Sequence, residues 1–575
     1  MVSREASPGS TDVDYDVVVV GAGLAGISAL YTLRSKGLTV RLLEMGSRVG
    51  GTWYWNRYPG ARVDIESLEY SYGFSDEIQQ EWSWPERYAA QGDVQRYLEF
   101  VVDRLDLGGD LQLDTRVASA SYDAEANRWT VVAERLEGVQ LGFGAADATP
   151  VGEQTLVARY LVLATGFLSV PNLPDIPGLS DFKGDIAHTG AWPSEGVDYA
   201  GKRMGLIGTA SSGVQIIQST AHEVGRLSVF MRTANWCMPL RNAPIPPDYQ
   251  AWVKANYADI RHLEHENRGF ILVGGLIQLP DKRGALEVTV AEREQAYEQR
   301  WLAGGAHISR AFSDLLTNKA ANDTLRDFLE KKIRSLVTDP KVADKLVPEH
   351  PPLSRRPPGE QGYYEAFNRD NVELIDIKAD PIDHVAEDGV VLASGAKHEV
   401  DILVFATGFD AGRGAAMRID IRGRDGLALK EHWADGTRTG LGLMSHGFPN
   451  MFFIDGPQSP AAFFLPPLLV DFQSKFVSEV IADLDALGGA TLEPSADAED
   501  GWSKTLMDLA NATLVAGTDS WWVGTNIPGK PRRPEAYLGG FPAYRSLCRQ
   551  LIDSDYAGWD VCSARVETSA AATAF

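Results

Sequence analysis

The first long apolar stretch runs from Val17 to Leu33 and is interrupted at Gly21, Gly23 and Gly26. Val17–Val20 is a run of β-branched residues, suited to a strand buried on both faces. Beyond the glycines, Ile27, Leu30, Tyr31 and Leu33 recur at helical spacing, and Leu38–Glu44 resumes a strand pattern. The pattern predicts strand, turn, helix and strand within about thirty residues. The glycine breaks argue against a membrane span. The plan recurs downstream: strand Arg203–Ile207, turn Gly208-Thr209-Ala210-Ser211-Ser212-Gly213, a helical pattern over Val214–Val224, and strand Leu227–Met231.

Two further apolar runs echo one another, Leu-Val-Leu-Ala-Thr-Gly at Leu161–Gly166 and Ile-Leu-Val-Phe-Ala-Thr-Gly at Ile402–Gly408. One precedes the second glycine turn and the other lies far beyond it. The expected architecture is α/β, with two Rossmann-like dinucleotide-binding units, the second inserted in the first. Expected boundaries are 1–168 for the first unit, 169–384 for the second, and 385–575 for the returning part of the first, with a mobile C-terminal loop. Residues of about 240–345 are charged and amphipathic, as in Val290–Leu302, and are expected to form a helical elaboration of the second unit.

Composition narrows the function. Of 575 residues, 54 are basic and 78 acidic, for a net charge of −24. Such a chain repels phosphate backbones, and its densest basic clusters are only Arg355-Arg356 and Arg532-Arg533, the latter near Lys530, so no nucleic-acid partner is expected. Hydrophobic content of 44% and charged content of 23% argue against general disorder. The three cysteines, Cys237, Cys548 and Cys562, have no ligand-like spacing; neither a metal site nor a disulfide framework is expected, and a reducing compartment is. The polar, acidic N-terminus has no basic segment followed by a long apolar one, which points to a cytoplasmic protein without a membrane partner. The Ala/Thr/Ser-rich tail Ser563–Phe575 is expected to fray.

In the first turn Gly21 permits the bend, Gly23 admits a diphosphate, and Gly26 lets helix pack on strand. The helix start offers free N–H groups to phosphate. Glu44, at the end of the second strand, is placed to accept from ribose hydroxyls. These features alone admit FAD or NAD. Gly50-Gly51-Thr52-Trp53 just beyond, together with a second dinucleotide site, favours FAD here and a nicotinamide reductant there, because a flavin needs reducing equivalents. In the second turn Ala210 replaces the middle glycine, which weakens the signal. Where the first unit has Glu44, the second has Arg232; a guanidinium forks onto a 2′-phosphate, favouring NADP.

Between the units, Phe182-Lys183-Gly184-Asp185-Ile186-Ala187-His188-Thr189-Gly190-Ala191-Trp192-Pro193 fits F-x-G-x-x-x-H-x-x-x-W-P. This segment resembles the signature of type I Baeyer–Villiger monooxygenases. Gly50–Ser67, Tyr363–Val372, Gly456–Pro460 and Trp522–Lys530 also look like blocks of that family, so the resemblance spans most of residues 14–550. It implies that NADPH reduces FAD. Reduced flavin then takes up O₂ as a C4a-peroxide, which converts a ketone to an ester or lactone. The protein must stabilise a buried anion and exclude water.

The same resemblance implies Arg356 as the catalytic arginine, with Asp64 as its carboxylate partner. Arg355 stands where the family has a lysine that contacts NADP phosphate. Flavin-side residues carried over are Gly21, Gly23, Gly26, Glu44, Gly51, Thr52, Trp53, Arg62, Asp64, Tyr70 and Pro466. NADP-side residues are Gly208, Thr209, Ser211, Ser212, Gly213, Gln215, Arg232, Thr233, Arg355 and Trp521, with Trp522 as the neighbouring choice. Phe463 and Leu465 are expected to face substrate. Phe182, Gly184, His188 and Trp192 form the fingerprint, with His188 coupling domain movement to cofactor position rather than acting in the chemistry.

Two other flavoprotein functions and one without turnover bear weighing. A nitrogen or sulfur monooxygenase is disfavoured by Trp192-Pro193 and Arg356. A disulfide reductase lacks its cysteine pair. A non-catalytic flavin sensor is disfavoured because Asp64 and Arg356 are both present. Small-molecule ketone and O₂ are the expected partners, with the chain a monomer or weak oligomer.

Overall fold

The computed structural model describes residues 13–141, 146–267, 271–273, 276–461 and 463–562; the tail from 563 and the first twelve residues lie outside it. Strand β1 (Tyr15–Val20), helix α1 (Leu24–Ser35) and strand β2 (Val40–Leu43) form the unit that the glycine-broken pattern predicts. Val17–Val19 of β1 are wholly buried, as a strand covered on both faces requires. β3 (Leu111–Gln112), β4 (Thr115–Asp123), β5 (Arg128–Leu141) and β6 (Ala146–Leu163) complete the first pass through this sheet. β6 lies parallel beside β1, with Leu161 opposite Val18.

A second sheet opens with β7 (Asp185–His188), β8 (Arg203–Ile207), α2 (Ser211–Thr220) and β9 (Arg226–Met231). The chain then passes through α3 (Pro247–Ala255), α4 (Tyr257–Glu266), α5 (Val290–Ala303) and α6 (Lys319–Leu336). β10 (Val372–Asp376) and β11 (Ile402–Phe405) finish the sheet in the order β10-β9-β8-β11-β7, all parallel. β12 (Asp420–Arg422) and β13 (Met451–Phe453) then pair with β4 and β6 of the first sheet, whose order is β12-β4-β5-β6-β1-β2-β3 with β13 also on β6. The long α7 (Pro466–Ala486) covers α1, where Ser28 donates to the Val470 carbonyl (3.3 Å).

The expected return to the first unit near residue 385 is too early. Residues 382–399 form a small antiparallel sheet whose Val385, Val390 and Leu392 pack with Phe230 and Leu403 of the second sheet. β11 pairs with β8 and β7, so the chain rejoins the first sheet only at Asp420. The two Ala-Thr-Gly echoes now have a physical meaning. Each ends the strand that lies beside its own glycine turn. A Cβ on Gly21 would meet the Ala164 carbonyl, and one on Gly208 would meet the Ala406 carbonyl, while both glycines take φ above +100°.

The helical segment also divides. Val253, Tyr257, Ile260 and Leu272 are buried in the core of the first unit, whereas Tyr297, Trp301 and Phe328 are buried with β8 and β9. An amphipathic pattern shows that a helix has an apolar face, not which core receives it.

Candidate active site

The carboxyl ends of the parallel strands in both sheets open onto one cavity of about 1870 Å³. The crevice outside strand ends at a change of strand order is where open α/β sheets take ligands. Of the first glycine turn, Gly21 and Gly23 line the cavity; of the second, Gly208, Thr209, Ala210, Ser211 and Ser212 do. Gly26 and Gly213 do not line it. A Cβ on either would overlap the carbonyl oxygen of Gly21 or Gly208, so both serve helix-to-strand packing. Ala210 caps α2 with φ −84° and ψ −166°, and Gly23 caps α1 with −81° and −166°. The methyl group that weakened the sequence signal therefore sits in ordinary extended backbone without strain.

Glu44 is buried at the cavity edge. Its Oε2 accepts from the Ala22 N–H (2.7 Å) and its Oε1 from the Gly46 N–H (2.7 Å), so it braces the glycine turn as well as facing a ribose site. Burial raises its pKa against these two N–H donors. Gly51 backs onto Gly23, and Thr52 and Trp53 line the cavity beside them. Trp53 Nε1 donates to the Tyr70 hydroxyl (3.1 Å). Arg62 lines the wall but spends its guanidinium on Glu86 (3.0 Å) and the Tyr88 carbonyl (3.0 Å).

At the centre, two segments 292 residues apart in sequence meet. Arg356 Nε donates to Asp64 Oδ2 (2.9 Å), and its Nη2 donates to Oδ1 (2.6 Å) and Oδ2 (2.7 Å). Fork-on-fork geometry of this kind fixes the guanidinium plane. Asp64 holds Arg356 above the usual guanidinium pKa despite burial. The 36% of the Arg356 side chain that stays exposed belongs to a residue lining the cavity, so a permanent positive charge faces the space between the two glycine turns.

On the NADP side, Arg232 and Arg355 both line the cavity. Arg355 Nε is buried without a hydrogen-bond partner. Burial first, then the neighbouring Arg232 charge, lower the Arg355 pKa, with Asp519 opposing. Two close cations with an unsatisfied donor suit a phosphate. Thr209 Oγ1 donates to the Thr233 carbonyl (3.1 Å), and Ser212 and Thr189 hydroxyls meet at 3.2 Å. Gln215 ties the units together: it accepts from the Tyr58 hydroxyl (2.7 Å) and donates to the Arg62 carbonyl (3.0 Å).

The apolar wall comes from several elements. Phe463 lines the cavity with its ring 4.4 Å from that of Trp522, and Trp521 meets Phe167 edge-on at 5.6 Å. Trp522 is the more buried of the adjacent tryptophans, although both line the cavity. Pro466, the first residue of α7, also lines it. Leu465 does not: it is fully buried in the first core, against the expectation that it faces substrate.

None of the four fingerprint residues lines the cavity. Phe182 and Trp192 are core residues, and a Cβ on Gly184 would overlap the Asp401 carbonyl. His188 ends β7, where Nδ1 accepts from the Gly190 N–H (2.9 Å) and Nε2 lies 3.3 Å from Thr407 Oγ1. The Thr407 hydroxyl proton goes to the Asn172 carbonyl (2.5 Å), so His188 is the neutral Nε2–H tautomer. Burial lowers its pKa to about 4. His188 thus holds the Gly190–Ala191 turn, which does line the cavity, and pins it to the end of β11.

Sequence reasoning missed two site features. Lys530 is almost wholly buried, with Nζ 3.0 Å from Asp410, 3.3 Å from Glu535 and 2.6 Å from the Ala411 carbonyl, locking the tryptophan-bearing loop onto the turn after β11. Asp455, directly before the Gly456–Pro460 block, lines the flavin side of the cavity. A single carboxylate ending the apolar run Met451–Ile454 was the available signal, the same one that marked Glu44.

Two glycine cradles, a carboxylate at one strand end and a cation pair at the other define a flavoprotein oxidoreductase with one site for FAD and one for NADP. Residues 15–246 match the family model described as pyridine nucleotide-disulphide oxidoreductase. The chain is similar to acetone monooxygenase (methyl acetate-forming) from Gordonia sp. (strain TY-5), at 39% identity over 95% of this chain and 98% of that protein. Phenazine N-monooxygenase PhzNO1 from Lysobacter antibioticus is 38% identical over 95% of this chain and 96% of its own length. Among solved structures, an OTEMO complex with FAD and NADP superposes with a TM-score of 0.87 at 36% identity, covering 96% of this chain and all of that one. The chain belongs to the Baeyer–Villiger monooxygenases, and its cofactors are FAD and NADPH. Among the described residues no helix is long and apolar enough to cross a membrane.

Proposed function

We propose that this protein oxidises an apolar ketone to an ester or lactone with NADPH and O₂, and that Arg356 carries the oxygenation half of the reaction. When bound, FAD supplies the redox chemistry and NADPH the hydride. The chain's own residues supply placement and charge. Arg232 and Arg355 clamp the 2′-phosphate, the turn Gly208–Ser212 cradles the diphosphate, and Thr209, Ser211, Ser212 and Thr233 line its path. Gly21, Gly23, Glu44, Gly51, Thr52, Trp53 and Tyr70 surround the flavin. Arg356 offsets negative charge on the reacting oxygen without surrendering a proton, and Asp64 keeps the guanidinium in plane. Phe463 and the tryptophan loop exclude water and present an apolar wall to the ketone. Trp521, the more exposed of the tryptophan pair, contacts NADP.

The single observation behind this reading is the bidentate Arg356–Asp64 pair on the cavity wall between the two glycine turns. Arg356→Ala should leave flavin reduction by NADPH intact and lower ester formation by about 10²–10³-fold, the usual cost of losing one preorganised anion-stabilising donor. Ester formation at the original rate sinks the assignment. The likeness to a phenazine N-monooxygenase keeps one second reading, oxygenation of an aromatic nitrogen. Product mass after parallel incubation with a cyclic ketone and a phenazine separates the two. The unit boundaries proposed are 13–168 and 410–562 for the FAD unit, with the NADP unit between them and α3 and α4 packed back on the former.

A further inference from the structure

Asp455 follows β13, whose last residues run parallel to Leu161–Leu163 of β6. The Ile454 N–H donates to the Leu163 carbonyl (3.1 Å), and the next residue of that strand, Ala164, closes against Gly21. Asp455 therefore sits one strand from the diphosphate turn. Its φ of +54° turns the chain out of the strand, and its N–H donates to Gln473 of α7 (2.8 Å). Asp455 lines the cavity, and its Oδ1 is buried with no hydrogen-bond partner. A charge at Asp455 acts on Tyr70, which lines the same cavity and also feels Asp64 and Arg356. A dinucleotide with its diphosphate at Gly21 and its reactive ring at Arg356 would lay its polyol chain across this interval.

We propose that Asp455 makes flavin binding proton-linked: its carboxyl lies against the polyol chain of FAD and accommodates the cofactor as the neutral acid. Among the described residues no charged group offsets the burial of this carboxylate. Arg356 is committed to Asp64, Gln473 is uncharged, Tyr70 offers only a phenol, and Glu44 is a second acid in the same cavity. Burial alone pushes the Asp455 pKa up to about 7. FAD brings two phosphate charges and displaces the remaining water, and both disfavour the carboxylate further. A neutral carboxyl, by contrast, both donates to and accepts from a hydroxyl. The pKa is thus higher with FAD than without. Affinity is level below about pH 7 and falls above it, by up to about tenfold per unit until the bound-state pKa is reached.

This inference rests on FAD as the resident cofactor, not on the ketone chemistry. The test is FAD release from the full-length holoenzyme on dilution, read by flavin fluorescence between about pH 6 and pH 9. The wild-type dissociation constant should rise about tenfold or more across that range. Asp455→Asn, which cannot ionise, should abolish most of the rise and bind FAD more tightly than wild type at the alkaline end. Asp455→Leu should bind about tenfold more weakly throughout; if it does not fold, the Asp455→Asn profile decides alone. A level wild-type profile overturns the proposal. So does an equal rise in Asp455→Asn, which would assign the proton to Glu44. A chain that holds no flavin at any pH refutes the cofactor instead.

Discussion

The arginines of this cavity are distinguished by what they already hold. Arg62 is spent on Glu86 and a carbonyl, and Arg356 is half spent on Asp64, with part of its side chain still open to the cavity. Arg355 keeps a buried, unsatisfied donor beside the Arg232 charge. An unsatisfied donor beside a second cation suits the 2′-phosphate proposed to bind there, in competition with Asp519, whose charge also acts on Arg355. Arg355→Ala should raise the KM for NADPH about tenfold or more, the worth of a charged hydrogen bond, while leaving the KM for NADH nearly unchanged. Equal effects on both coenzymes would detach Arg355 from the 2′-phosphate. Arg232 was legible in the sequence from its place at a strand end. Arg355 was legible only through family resemblance, since adjacent arginines before prolines otherwise read as a solvated loop.

Elements of the fold differ in how they are fastened. β1 and β8 are buried central strands, held on both sides, and their patterns alone located them. The loop bearing Trp521 and Trp522 is held by few polar contacts, chiefly Lys530 to Asp410, Ala411 and Glu535, and Asn526 to the Phe409 carbonyl (2.7 Å). Burial raises the Glu535 pKa, and Lys530 opposes that rise. Lys530→Met keeps the apolar stem and removes the charge. Breaking a buried pair by removing one partner costs about 3–5 kcal/mol, here charged mainly to loop closure. Amide hydrogen exchange over residues 519–535 should accelerate and should lose its protection by NADP⁺, with β1 and β8 unaffected. Unchanged exchange in that loop would show that Lys530 does not hold it. Nothing in the hydrophobic pattern announced this latch, because a lysine before proline-rich sequence carries no signal of burial.

The whole molecule brings two sheets to one cavity, and besides the Arg356–Asp64 pair one contact between the units runs through Gln215. Its amide joins Tyr58 and the Arg62 carbonyl of the flavin unit to α2 of the NADP unit. Gln215→Leu keeps the volume and leaves both partners unpaired, at about 1–3 kcal/mol. If this contact sets the approach of nicotinamide to flavin, stopped-flow reduction at saturating NADPH should slow about tenfold with little change in NADPH affinity. A loss confined to affinity would make Gln215 a cofactor ligand rather than a link between units. The fingerprint segment acts over the same distance by a different route. Neutral His188 fixes the turn at Gly190 and Ala191 to the end of β11, so it shapes the cavity without touching it.

Local pattern was enough for the strands, the glycine turns, the two helices behind them and the charge at each following strand end. These depend on neighbours within about thirty residues, where periodicity and backbone freedom act directly. It was not enough for the sheet that owns Ile402–Phe405, the core that receives α3 and α4, the direction of Leu465, or the isolation of Asp455. Those are settled by contacts between segments hundreds of residues apart, and an apolar or acidic residue looks the same in sequence whichever surface finally covers it.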